Sequence, residues 1–95
     1  MDDDQLIHLA QISGDAPVLD LHGMYLQEAE YATDHFLNTM FVQGEGIVRI
    51  VYGKGGEVLA GRIPEFVKKH KLVRYSRSSP GSFDTGAALY ALLDV

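Results

Sequence analysis

Pro17-Val18-Leu19-Asp20-Leu21-His22-Gly23 reads as a short strand closed by a glycine, and its continuation into a helix and a second strand decides the fold. Proline suits the first position of a strand, where no ladder N–H is missed. From residue 26 to 43 the apolar period changes to that of a helix. Ala29, Ala32, Thr33, Phe36, Leu37, Met40 and Phe41 share one face. Gly44 is placed to end that helix, while Met24 and Tyr25 are poor caps for its start. Ile47-Val48-Arg49-Ile50-Val51-Tyr52 is a nearly continuous β-branched run, the pattern of a strand covered on both faces. Strand, helix and strand make a βαβ unit with parallel strands and a right-handed crossover.

Outward from that unit the pattern is weaker. A second helix is expected from about Val58 to His70, with Ile63, Phe66 and Val67 inward. Pro64 costs about 3 kcal/mol in a helix interior, so this helix should start near Ala60–Gly61 or kink there. Leu72–Arg77 alternates enough for a third strand, and residues 78–85 read as a loop. The last ten residues, Gly86 to Val95, are rich in Ala and Leu. Propensity favours a helix there, whereas a three-stranded sheet gains from a fourth strand. Residues 1–16 read as an N-terminal arm that could pack on the domain, with Leu6-Ile7 and Leu9-Ala10 able to make one helical turn. Residues 17–95 read as the domain.

Composition narrows the class. Ninety-five residues make one domain. Without cysteine there are no disulfides or thiolate metal sites. The start Met-Asp-Asp-Asp has the wrong charge for a signal peptide, and no apolar run approaches the roughly 20 residues of a membrane helix. A cytoplasmic monomer is the expectation. The net charge of −5 argues against a polyanion ligand, but its distribution does not. All eight Lys and Arg lie at residue 49 or later, and nine of thirteen acids lie before it. Lys68, Lys69, Lys71, Arg74 and Arg77 form a run with no acid between Phe66 and Phe83. One basic face is therefore compatible with an acidic total.

Chemistry is expected at one edge of the sheet. Loops after parallel strands emerge together at the carboxyl edge, where open α/β sheets bind ligands. That rule brings together Asp20, His22, Tyr52 and Lys54. Gly53-Lys54-Gly55-Gly56 before a helix is a plausible phosphate cradle, though it is neither a Walker loop nor a dinucleotide fingerprint. The plain alternative is a turn. Asp20 and His22, two apart on a strand, point to one face, where the carboxylate could orient the imidazole as a general base or acid. The plain alternative is that Asp20 caps a loop and His22 fills a core edge. His8, His35 and His70 read as surface residues, and Met24 and Met40 as core filler.

Taken together, Leu19-Asp20-Leu21-His22-Gly23 and Tyr52-Gly53-Lys54-Gly55 resemble the two signatures of the Smr (small MutS-related) domain family, with the expected helix between them. Leu59, His70 and Gly86-Ala87-Ala88 resemble its later pattern. The resemblance implies a two-layer α/β sandwich, βαβαββ. It would be a four-stranded mixed sheet with two helices, similar to the C-terminal domain of translation initiation factor three. That settles the C-terminus as a strand. The resemblance also implies binding of DNA or RNA and, in several members, endonuclease cleavage. Asp20 and His22 would be the catalytic pair, with or without a divalent cation such as magnesium or manganese. Tyr52, Gly53, Lys54 and Gly55 would grip the backbone, with Arg62, Arg74 and Arg77 adding charge.

This chain departs from the family at Tyr52, where the pattern has His or Thr, and at Ala60, where a basic residue is frequent. Tyr25 stands in place of a capping Thr. These departures favour binding over cleavage. A protein-interaction adaptor that keeps the fold is the competing reading.

Overall fold

The computed structural model of the chain describes residues 1–53, 57–82 and 86–95. The βαβ unit is present as expected. Strand β1 (Val18–Asp20) leads into helix α2 (Leu26–Val42) and then strand β2 (Ile47–Gly53), which pairs with β1 in parallel. The ladder opens before β1 itself, where the Arg49 N–H donates to the Pro17 carbonyl at 2.8 Å. Helix α2 buries Ala29, Thr33 and Leu37 completely, with Ala32, Phe36, Met40 and Phe41 packed alongside, which is the face the spacing predicts. Gly44 follows its end at φ 79°.

The terminal Ala/Leu-rich segment is a strand. β4 (Gly86–Leu93) lies between β2 and β3 (Val73–Ser82), antiparallel to both, so the order is β1-β2-β4-β3. Ala88 through Leu93 are all at least nine-tenths buried. A central strand covered on both faces needs an unbroken apolar run, and tertiary burial overrides the helical propensity of Ala and Leu. Because β4 separates them, β2 and β3 run parallel to each other. The carboxyl ends of β1, β2 and β3 therefore lie at one edge of the sheet.

Three expectations are corrected. Helix α3 begins at Glu57 and runs to Lys68 with Pro64 inside it, so it starts earlier than Pro64 suggested. The missing proline N–H removes one bond to the Ala60 carbonyl, and Ala60 and Gly61 stand exposed, within reach of water. Strand β3 continues through Ser78–Ser82, which the sequence suggested as loop. The third correction concerns the N-terminal arm, which is an eleven-residue helix, α1 (Asp3–Ser13). Its first turn is closed reciprocally: the Gln5 N–H donates to Asp2 Oδ1 at 2.8 Å, and the Asp2 N–H donates to Gln5 Oε1 at 3.0 Å. Gly14, at φ 70°, ends it.

The sheet thus carries helices on both faces. Side chains of α2 and α3, including Leu59, Ile63 and Val67, pack with Leu21, Val48, Ile50, Leu89, Ala91 and Leu93. On the other face Ile7 and Ala10 of α1 pack against Tyr90 and Leu92. Full burial of Ile7 contributes about 1.5–3 kcal/mol, enough to hold a short helix in place. The mixed four-stranded sheet is as expected. A third helix is added to the two-layer sandwich.

Candidate nucleic-acid site

The two sequence signatures meet at the carboxyl edge. Leu21 continues the ladder, its N–H donating to the Val51 carbonyl at 2.7 Å, and its side chain is fully buried. The chain then turns. The Met24 N–H donates to the Leu21 carbonyl at 3.0 Å, and Gly23 takes φ 81°. Asp20 and His22 flank the buried Leu21, and both are exposed. His22 lies directly on Gly53. A Cβ built on Gly53 would stand 3.3 Å from His22 Cδ2 and 3.7 Å from its Cα. Gly53 also holds φ 85°, a conformation that side chains disfavour. It follows an irregularity in the β2–β4 pairing between Val51 and Gly53, a bulge that ends the regular ladder beside the site.

The Asp20 carboxylate is used locally. Its Oδ1 accepts the His22 backbone N–H at 2.9 Å, an Asx turn that fixes the course of the LDLHG loop. Among the described residues no hydrogen bond joins it to the His22 ring. Tyr52 is buried in the core. Its side chain packs among Leu59 and its neighbours, and its hydroxyl donates to the Ala88 carbonyl at 3.3 Å. Lys54 and Gly55 lie outside the described residues. Among the described residues no group of three or more His, Asp or Glu side chains converges to hold a metal ion. Asp20 and His22 supply two ligands between them.

A family model, the Smr domain, matches residues 19–94, from the first signature through β4. The chain belongs to the Smr domain family. It is 39% identical over 77 residues to Endonuclease MutS2 of Clostridium perfringens strain SM101, covering 80% of this chain and 10% of that protein. It is 35% identical over 75 residues to Endonuclease MutS2 of Clostridium tetani, covering 78% of this chain and 10% of the relative. The chain thus spans about a tenth of the length of the curated relatives it matches. Among solved structures, the Smr domain of Thermus thermophilus MutS2 superposes with a TM-score of 0.76 at 24% identity, covering 84% of this chain and 100% of that one. That likeness establishes the α/β fold.

In this Smr domain the other basic candidates lie on α3 and β3. Arg62 is exposed on α3 and lines a cavity of about 520 Å³ with Glu30, Asp34, Glu65 and Lys69. Among the described residues no contact ties Arg62 to His22. Arg74 and Arg77 are on β3 and engaged by α1. Arg74 Nη2 lies 2.9 Å from Asp3 Oδ1, and Arg77 Nη1 lies 2.8 Å from Asp4 Oδ1. The Tyr75 hydroxyl donates to the same Asp4 oxygen at 2.7 Å. That bond, aided by burial and by the charge of Asp4, raises the Tyr75 phenol above its ordinary 10.0. Sequence reading missed this clamp, although the Asp2-x-x-Gln5 spacing signals a capped helix.

His70 is also corrected, because its side chain is only 7% exposed. Its Nδ1 accepts the Leu72 N–H at 3.2 Å, which places the ring proton on Nε2. Nε2 then donates to Asp34 Oδ1 of α2 at 2.8 Å. The residue ties the end of α3 to α2. No helix among the described residues is long and apolar enough to cross a membrane.

Proposed function

We propose that this Smr domain binds the phosphodiester backbone of DNA or RNA at the sheet edge where His22 meets Gly53. The carrying observation is that contact, with a hypothetical Gly53 Cβ 3.3 Å from the imidazole. It sets Gly53, the residue before Lys54, against the LDLHG loop. Gly53, Lys54 and Gly55 would present backbone N–H groups and one ammonium to the anion. Arg62 would add charge from α3. The family, and relatives named as endonucleases, support the same reading.

Cleavage is the finer part of the proposal. His22 is exposed beside the phosphate site and would take a proton from water or a 2′-hydroxyl. Asp20 holds the loop that carries it. A divalent cation, if used, would draw Asp20 and His22 as protein ligands and the rest of its shell from water and phosphate. The working compartment in this reading is the cytoplasm, and residues 17–95 are the functional unit.

A gel-shift series with duplex DNA, branched DNA and stem-loop RNA across salt tests binding, which should fall steeply with ionic strength. Lys54→Ala and Arg62→Ala should each weaken it. Retardation that ignores salt, or none at low salt, sinks the proposal. The second reading, a protein-interaction adaptor, rests on the pairing of Arg74 and Arg77 with acids of the same chain. It expects no shift with any of the three nucleic acids.

A further inference from the structure

The sheet face that carries α1 is only partly covered. Helix α1 lies over the end of the sheet marked by Ile47, Leu92 and Tyr75. Register aligns Val18, Arg49, Tyr90 and Arg77 in one row across all four strands, with Tyr90 buried against α1 and Val18 exposed on the edge strand. The Arg49 guanidinium lies 6.0 Å from the centre of the Tyr90 ring. The next row on the same face holds Asp20, Val51 and Ala88. Arg74 and Arg77 on β3 have the chemistry of phosphate contacts, since guanidinium forks suit phosphate oxygens.

Both arginines are already engaged by carboxylates, together with the Tyr75 hydroxyl. These pairs are exposed: Arg74 and Asp3 show 40% and 39% of their side-chain surface, Arg77 and Asp4 36% and 59%. Exposed pairs of this kind are individually weak. Arg77 also borders an open cavity of about 760 Å³, lined by Asp4, Gln5, His8 and Leu9, through which a strand could reach it. The carboxylates themselves do not diffuse away, because Ile7 and Ala10 anchor α1.

We infer that Asp3 and Asp4 occupy, within the same chain, phosphate sites that Arg74, Arg77 and Tyr75 offer to nucleic acid, so that α1 competes with the ligand for this face. The inference rests on the proposed nucleic-acid binding. It assigns the β3 arginines to a masked second contact surface, separate from the edge at Gly53.

The test compares duplex-DNA binding by the full chain and by Asp3→Asn/Asp4→Asn, which keeps α1, its Asp2 cap and its apolar contacts. The double variant should bind on the order of tenfold tighter at low salt. Its slope of log affinity against log salt should be steeper by about 1.8, the value for two added phosphate contacts. Arg74→Ala/Arg77→Ala should erase that gain in the Asn background. Asp15→Asn/Glu45→Gln, which removes two acids elsewhere, should leave the slope as in the native chain. Should the double variant fail to fold by circular dichroism, Asp4→Asn alone should give about half the change in slope. An unchanged slope in a native chain that binds overturns the masking and spares the edge site. So does an equal gain from the Asp15/Glu45 control, or a gain that survives removal of the arginines. No binding by either form overturns masking and the parent proposal together. Binding by the Asn variant alone supports masking.

Discussion

Gly53 and His22 are packed so closely that a methyl group on the glycine would sit 3.3 Å from the imidazole Cδ2. Gly53→Ala therefore meets two penalties, the crowding and a φ of 85° that alanine tolerates poorly. The expected loss is about 1–3 kcal/mol in denaturant unfolding. Nucleic-acid affinity should fall further, since the ring and the loop must separate. Native stability and affinity in this variant would show that the two loops are not packed this way.

Asp20 has a local role that a charge-neutral substitution can isolate. Asn retains Oδ1 and can still accept the His22 N–H. Asp20→Asn should keep native stability to within about 0.5 kcal/mol, while Asp20→Ala should lose about 1 kcal/mol through the turn. If the carboxylate takes part in cleavage, plasmid nicking or RNA cutting is lost in both variants, and in His22→Ala. Full activity in Asp20→Asn would confine Asp20 to shaping the loop.

Tyr52→Phe should separate packing from ligand contact. The buried hydroxyl donates to the Ala88 carbonyl, so its removal should cost about 1 kcal/mol. Binding to DNA or RNA should be unchanged. A drop in affinity at unchanged stability would return Tyr52 to the phosphate contacts.

His70 and Asp34 should respond unequally although they share one bond. Asp34 is 56% exposed, so Asp34→Ala should cost under about 1 kcal/mol. His70 is buried and also accepts the Leu72 N–H, so His70→Ala should cost about 1–3 kcal/mol. Equal losses would mean that the bond to Asp34, rather than the packed ring, holds α3 to α2.

The attachment of α1 should depend on pH at the alkaline end. Tyr75 holds its proton more tightly folded than unfolded, chiefly because its hydroxyl donates to Asp4. The sign is that of a raised folded value: the contribution is complete below pH 10 and is lost as pH rises through the higher folded value. The Tyr75 ring resonances should titrate above the ordinary tyrosine range in the native chain and return toward it in Asp4→Ala. No difference between the two would remove the bond as a cause.

Periodicity and punctuation in the chain were enough to mark β1, α2 and β2, because each repeats its apolar residues at one period and ends on a glycine. Parallel pairing then brought His22 beside Gly53 by topology alone. LDLHG with its partner loop carried the family resemblance. Other features needed the folded chain. Whether Gly86–Leu93 is helix or strand depends on the two neighbours that cover it, and local propensity pointed the other way without the family resemblance. Tyr52 reads as a polar tip beside a loop, and only the register that sets its hydroxyl at Ala88 makes it core. The acidic start and the basic β3 are some seventy residues apart, so their pairing is invisible until α1 lands on the sheet. Short-range pattern therefore determined the elements and the meeting of the two signatures. Long-range contacts decided which polar groups stay exposed and which are spent on the protein itself.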